Sequence, residues 1–363
     1  MSLRTGWLAP LFEDTMHRFG PGCDFFSIYA AGVKARAGES VYTIGGHVQT
    51  VPYAYAFRYA PFVAYTLGAA LSLLPAISSY ALWLILCELA LLRNIRLTWE
   101  RAPDTRTGLV CAAMWLLFTP YFLELYVGQF TFLTASLVFW AWLAWQEGGR
   151  REQRLGDGFW AVAVWLKMMP LLFLPLVLLR GRWKAALAVP LLLVLGSGLY
   201  FARFPADWTV FADTNLSALP TFHAGNQGLM ALLYAAVGEQ AHAYRVARWG
   251  VLALVALALA WLIGRAWRAA PDAERSLLHL YAALSAAYLL TYKDVWEHHF
   301  VLLLPPLVLL ALRKESRWLW LPPFVVCALP SLFVLYDLPH LGYNEEPQPY
   351  WNHAVSLIQH GWK

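Results

Sequence analysis

One carboxylate stands out in the chain. Asp24 lies in GPGCDFFSIYAAGVKARAGESVY, residues Gly20 to Tyr42, ahead of the first long apolar run. Held in place, a carboxylate can take a proton from a hydroxyl. Pro21-Gly22 stops the chain just before it, so Asp24 also falls where a helix N-cap belongs. As a cap it would open a helix lying in the membrane interface, because Phe25, Ile28, Tyr29, Val33 and Arg36 recur at helical spacing up to Gly38. The second such stretch is TYKDVWEHHF, Thr291 to Phe300. Lys293, His298 and His299 there can neutralise a phosphate, and Asp294 or Glu297 can raise a histidine's basicity. Adjacent histidines are poor metal-ligand spacing and no further ligand pattern follows, so no metal is expected. A solvated turn is the plain alternative.

Further polar groups sit at the edges of apolar runs. Arg58 and Tyr59 in FRYAPF can hold an anionic headgroup or simply form an aromatic belt with an anchoring arginine. Gln129 in GQFTF can bond a sugar hydroxyl or a neighbouring helix. Asn226 and Gln227 in GNQGL follow Asn215, Ser217 and His223, and their amides suit sugar recognition or a plain turn. Lys167 lies in LKMMP inside an apolar stretch, as a functional intramembrane charge or a lysine reaching for an interface.

The elements that must position these groups are helices in a bilayer. The 363 residues are 60% hydrophobic and 13% charged, with 19 Trp and 18 Tyr. A soluble domain has about a quarter of its residues charged. We expect an all-α polytopic membrane protein. The net charge of +5 sits mostly in short loops, a topology signal rather than a nucleic-acid signal. The four cysteines are scattered and form no disulfide framework or metal spacing. The leader MSLRTGWLAPLFEDTMH has no apolar core long enough for a cleavable signal.

Apolar runs of crossing or near-crossing length are residues 61–92, 107–123, 127–145, 185–204, 247–267, 276–292, 300–312 and 318–336. Basic clusters at residues 93–106, 150–154, 180–184, 265–275 and 313–317 assign five loops to the cytoplasm. Two of them flank Gly156–Leu179, so this run is expected to enter and leave on one side as a re-entrant pair of short helices broken near Lys167–Pro170. The outer segments then hold nine of the ten histidines, all but His279, together with Asp24, Asp207, Asp213, Asp294 and Glu297. One integral-membrane domain is expected over residues 1–363: an outer acidic loop to residue 60, a transmembrane core over 61–336 and an outer tail over 337–363.

The order of these features resembles glycosyltransferase family 87. The acidic segment reads D-x-x-x-x-Y-x-A-x-x-x-x-x-x-G-x-x-x-Y, with Asp24, Tyr29, Ala31, Gly38 and Tyr42 in the lettered places. FRYAPF, the GQ-initiated helix, LKMMP with RGRW behind it, the NQG loop and the late HH pair follow. The resemblance implies a GT-C-like fold of roughly eight or nine transmembrane helices, with a re-entrant pair and interfacial helices in the outer loops. It also implies an inverting sugar transfer, of mannose, from a polyprenyl-phosphate donor to a lipid or glycan acceptor on the outer face of the cell membrane. Asp24 matches the family's base and His298 or His299 its assisting histidine. Arg58, Tyr59, Gln129, Lys167, Asn226, Gln227 and Lys293 are the candidate substrate contacts. No cofactor is implied beyond the lipid-linked donor, and the expected partners are membrane lipids, that donor and the acceptor. The family carries a helix before the acid that this sequence does not show, so a start lying too far downstream is one expectation. The rival reading is a transporter or flippase of lipid-linked sugars, which broken helices and an intramembrane lysine also suit.

Overall fold

A computed structural model describes residues 22–43, 51, 56–220, 226–237, 241–269 and 273–329. Among these residues the secondary structure is helical, with no strand. His223, the leader before Gly22 and the expected tail over 337–363 lie outside the described residues.

The chain divides into two compact units. Among the described residues, the first is built from 22–93 and 124–217 and the second from 94–123 and 218–329. Among the described residues, four helices are long and apolar enough to cross a membrane: α3 (Ala76–Trp99), α4 (Thr105–Val127), α8 (Trp183–Arg203) and the His242–Arg268 stretch of α11 (Ala241–Arg268). At 1.5 Å per residue, the 24 residues of α3 span about 36 Å. The most apolar window of α11 is wholly unburied, with Leu254, Leu257 and Trp261 all exposed. Surface this apolar is stable against lipid and not against water. The protein is therefore a membrane protein.

The apolar run over 61–92 is not one crossing. Residues Pro61–Leu71 form α2, a short helix with a π-helical turn at Ala64–Gly68, and the chain breaks before α3 begins. Tyr29 donates to Leu74 O at 2.8 Å and Ser79 to Leu71 O at 2.5 Å across that break. The other apolar segments shorter than a crossing are Met169–Leu179, where a 3-10 turn leads into α7 (Leu174–Leu179), and Glu297–Leu312, where another leads into α13 (Leu304–Leu312).

The first unit also contains α1 (Cys23–Ala37), α5 (Thr131–Gln146), α6 (Arg150–Leu166) and α9 (Asp207–Asn215). An amphipathic interfacial helix was the expectation for α1. Instead Cys23, Phe25, Phe26, Ile28, Tyr29, Ala31 and Lys34 are all buried, so protein surrounds it on nearly every side. It packs on α2 where Gly32 meets the Gly68 backbone; a Cβ on Gly32 would lie 2.0 Å from the Gly68 carbonyl. Helical periodicity in a mostly apolar segment does not say whether lipid or protein covers the apolar face.

The run Gly156–Leu179 is broken where the lysine and proline predict. Helix α6 ends at Leu166, Lys167 is extended (φ −151°, ψ 130°), and the 3-10 turn begins at Met169. Trp160 Nε1 donates to Pro170 O at 3.0 Å. The two ends then meet. Arg182 pairs with Asp157 at 2.5 Å and donates to Gln153 Oε1 at 2.8 Å, and Trp145, Trp160, Val164, Val177 and Ala186 pack together. The run therefore ends beside its own start.

The second unit holds the first part of α4 with α10 (Leu229–Val237), α11, α12 (Ala273–Thr291), α13 and α14 (Arg317–Ala328). Cys111 Sγ approaches Val308 O at 3.8 Å, and Thr119 donates to Ala328 O at 2.6 Å. Its basic end is tied by Lys314–Asp104 at 2.7 Å and Arg275–Glu315 at 2.8 Å. In the first unit Arg93 and Arg180 lie over Trp140 and Trp142.

Single-cysteine variants at the exposed positions Glu147, Lys184 and Asp213 read this topology. With a membrane-impermeant reagent, the 147 and 184 positions should label from one side and the 213 position from the other. Labelling of 147 and 184 from opposite sides would remove the re-entrant pair.

Candidate functional site

In the first unit the expected base is not a cap. Gly22 occupies the N-cap of α1 with φ 74°, and Asp24 lies inside the first turn. With no capping bond to make, its side chain turns to the start of α5. Gln129 Nε2 donates to Asp24 Oδ2 at 2.8 Å. Gln129 Oε1 accepts from Tyr59 OH at 2.9 Å, and Tyr42 OH donates to the Tyr59 carbonyl at 2.6 Å. Three residues of the sequence-predicted set, Asp24, Tyr59 and Gln129, thus form one relay. Gln129, expected at a sugar hydroxyl, spends its amide on holding the acid and the tyrosine.

The approach depends on glycine. Gly128 has φ 70°, and a Cβ there would lie 2.6 Å from Phe25 Cβ and 3.2 Å from Gly22 Cα. Gly22 N–H donates to Tyr126 O at 2.7 Å, locking α1 onto the end of α4. Phe25, Trp83 and Phe130 pack beneath. The far side is closed by a second knot: Ser40 donates to Asp207 Oδ2 at 2.6 Å, Tyr200 also donates to Asp207, and Val41 N–H donates to Tyr200 at 3.0 Å. Asp207 therefore ties down the exit of α1.

Two cations act on Asp24. Arg58 is exposed, whereas Lys167 stands at the α6 break and donates to Thr131 Oγ1 at 2.8 Å. Surrounding protein raises the Asp24 carboxyl above the ordinary carboxylate range. The Gln129 amide, then Arg58 and Lys167, oppose that rise. A base shifted this way binds a proton more avidly while keeping a partly open face.

A residue that the sequence reading passed over is Glu124. It is fully buried in the last turn of α4, and its Oε1 accepts the Phe132 N–H at 2.6 Å. The signal was available: a lone acid inside an apolar helix is an intramembrane charge. It was masked because residues 124–126 fall in the gap between the apolar runs 107–123 and 127–145.

The second unit gathers the remaining candidates. Asn226 is fully buried and fully used: Nδ2 donates to Lys293 O at 2.9 Å and Asp294 Oδ1 at 3.2 Å, while Oδ1 accepts from Gly228 N–H at 3.1 Å and Val295 N–H at 3.0 Å. It is a staple between two loops. Its neighbour Gln227 has its backbone N–H on Val295 O at 2.7 Å, but among the described residues neither atom of its buried amide has a hydrogen-bond partner. Buried amide atoms normally find partners, so this side chain has hydrogen-bonding capacity to spare within the described residues. Lys293 pairs with Asp294 at 3.0 Å. His298 and His299 are both buried with ring centroids 4.4 Å apart, and His299 Nδ1 accepts the Trp296 N–H at 3.0 Å. That bond leaves Nε2 to carry the proton of a neutral His299. No three His, Cys, Asp or Glu side chains converge on a metal-binding arrangement among the described residues.

Asn226→Ala should lower the thermal midpoint, because each buried partner left unpaired costs about 1–3 kcal/mol. Gln227→Ala, which breaks no side-chain bond within the described residues, should melt close to the parent. Differential scanning of the two purified variants compares them directly, and equal losses would make Gln227 a structural residue.

The sequence model of the family described as Glycosyltransferase family 87 matches residues 57–291. That range contains Arg58, Tyr59, Gln129, Lys167, Asn226 and Gln227; Asp24, Lys293, His298 and His299 lie outside it. No curated protein and no solved structure matches the chain.

Proposed function

Since the chain belongs to glycosyltransferase family 87, and is thereby a membrane glycosyltransferase, we propose that it transfers a sugar, mannose in the first instance, from a polyprenyl-phosphate donor to a lipid or glycan hydroxyl on the outer face of the cell membrane. The observation that carries this reading is the Asp24–Gln129–Tyr59 relay, a carboxylate held at one oxygen and partly open.

The chemistry follows from the groups available. The acceptor oxygen attacks the anomeric carbon as its proton passes to Asp24, and the carbon–oxygen bond to the phosphate breaks with inversion. Polyprenyl phosphate departs as an anion and needs no proton, so its charge is the second demand. Cations aimed at developing charge meet that demand. Arg58 is an exposed cation that favours the ionised form of Asp24. Lys293, His298 and His299 of the second unit have side chains of the type that meets such a demand, and the Gln227 amide, without a hydrogen-bond partner among the described residues, is of the type that suits a sugar hydroxyl. Lys167 was expected at the donor phosphate. Its bond to Thr131 and its two acidic neighbours suit it better to act on the carboxylates.

Asp24→Asn keeps the acceptor for Gln129 Nε2 but cannot take a proton. With labelled polyprenyl-phosphate mannose and a membrane extract, the purified variant should bind donor and transfer at least about 100-fold more slowly. The parent's rate should fall on the acid side at a pH above the range of an ordinary exposed carboxylate, because the base must be ionised and burial raises its affinity for a proton. Turnover by Asp24→Asn near that of the parent would sink the assignment of the base. Donor movement across vesicles without transfer would favour the transporter.

A further inference from the structure

The amide of Gln129 can face only one way. Phe130 N–H donates to its Oε1 at 3.3 Å, and a backbone N–H can only donate. At the other end its Nε2 meets Asp24 Oδ2 at 2.8 Å. Turning the amide over would set two donors against each other at Phe130 and two acceptors against each other at an ionised Asp24. Oε1 carries no hydrogen, so the 2.9 Å bond from Tyr59 is a donation by the phenol. A phenol has one proton to give. Tyr59 spends it on Gln129 and has none for a phosphate or a sugar, although the sequence placed it among the substrate contacts.

We propose that Tyr59 is a positioning residue for the transfer reaction, one that acts on the base through Gln129 and leaves Oδ1 of Asp24 as the oxygen that takes the acceptor's proton. This rests on the reading of Asp24 as the base. Tyr59 is itself held at two further points. Tyr42 OH donates to its carbonyl at 2.6 Å, and its ring stands edge-on to Phe130 with centroids 5.9 Å apart. Phe57, two residues earlier in the non-helical segment before α2, lies 5.4 Å from the Tyr42 ring. Phe57 and Tyr59 are buried, and Arg58 between them is exposed. Protein contacts alone therefore deliver the hydroxyl to Gln129. With Oδ2 taken, the carboxylate presents one defined oxygen to the acceptor, and a fixed approach is worth rate because misplacement of a reacting group is costly.

A double-mutant cycle on the full chain, with labelled polyprenyl-phosphate mannose as donor, tests this. Tyr59→Phe keeps the ring and removes only the hydroxyl. It should lower kcat about tenfold, roughly what one net hydrogen bond is worth, and leave the donor KM unchanged. Gln129→Leu should lower kcat at least as far. Adding Tyr59→Phe to Gln129→Leu should cost nothing more, because the tyrosine acts through the amide. A raised donor KM in Tyr59→Phe, or losses that multiply in the double variant, would make Tyr59 a substrate contact and overturn the inference. Infrared titration without substrate, following the carboxyl band that Asp24→Asn removes, serves if Gln129→Leu does not fold or a variant is too slow. Tyr59→Phe should move the midpoint of that band to higher pH, because a loosened amide favours the ionised carboxylate less. Arg58 and Lys167, the cations acting on Asp24, are unchanged in these variants. A midpoint at the parent's value overturns the inference. Failure of the functional reading looks different: Asp24→Asn keeps its turnover, or the parent transfers no sugar.

Discussion

Much of the first unit answers to the cost of holding a carboxylate half-buried among apolar groups. A charge taken out of water must be paired or hydrogen-bonded, or it is neutralised by a proton. Asp24 meets that requirement through Gln129 and through two cations at longer range. Gln129 can reach it only because Gly22 and Gly128 let two backbones touch, and its own oxygen is oriented by Tyr59. Tyr59 is in turn held by Tyr42, whose segment is pinned by the Asp207–Tyr200–Ser40 knot. The residues spaced along the acidic segment thus act as one support. Tyr29 anchors its helix to Leu74 O, Gly38 ends that helix in the left-handed conformation, and Tyr42 reaches the relay.

The break at Lys167 serves the same cluster. Proline at position 170 and the extended conformation at 167 stop α6 inside the apolar layer. A continuous helix would carry Lys167 past the start of α5; the break presents it to Thr131 instead. The broken backbone is tolerated because protein encloses it: the Pro170 carbonyl is taken up by Trp160, and Arg182 and Asp157 close the hairpin at its mouth. The second unit solves a comparable problem with an amide. Asn226 satisfies two donors and two acceptors in a pair of loops that would otherwise leave buried backbone groups unpaired.

How much was legible depended on the kind of information each feature needs. Membrane class, helical architecture, the broken run and the presence of a lone acid ahead of the first apolar run could be read locally. Apolar length, a proline beside a charge and a lone acid after a turn are properties of neighbours in the chain. Local reading failed at Asp24's role as a cap, because cap position depends on backbone angles at Gly22 that the letters alone do not state. It failed again at the surroundings of α1, and over 61–92, where Ser72–Pro75 separates two helices.

What the sequence by itself determined was the set of available groups and the helices able to carry them, since burial cost and helical period act over one or two turns. Only the tertiary structure decided the use of each group. It brought Asp24, Gln129, Tyr59 and Lys167 from four separate stretches into one unit, and it separated Asn226, wholly spent on its own loops, from Gln227, its unspent neighbour. Two adjacent amides are equivalent as letters. They differ only in which backbone groups lie within hydrogen-bond reach, and that distance is set by helices far apart in the chain.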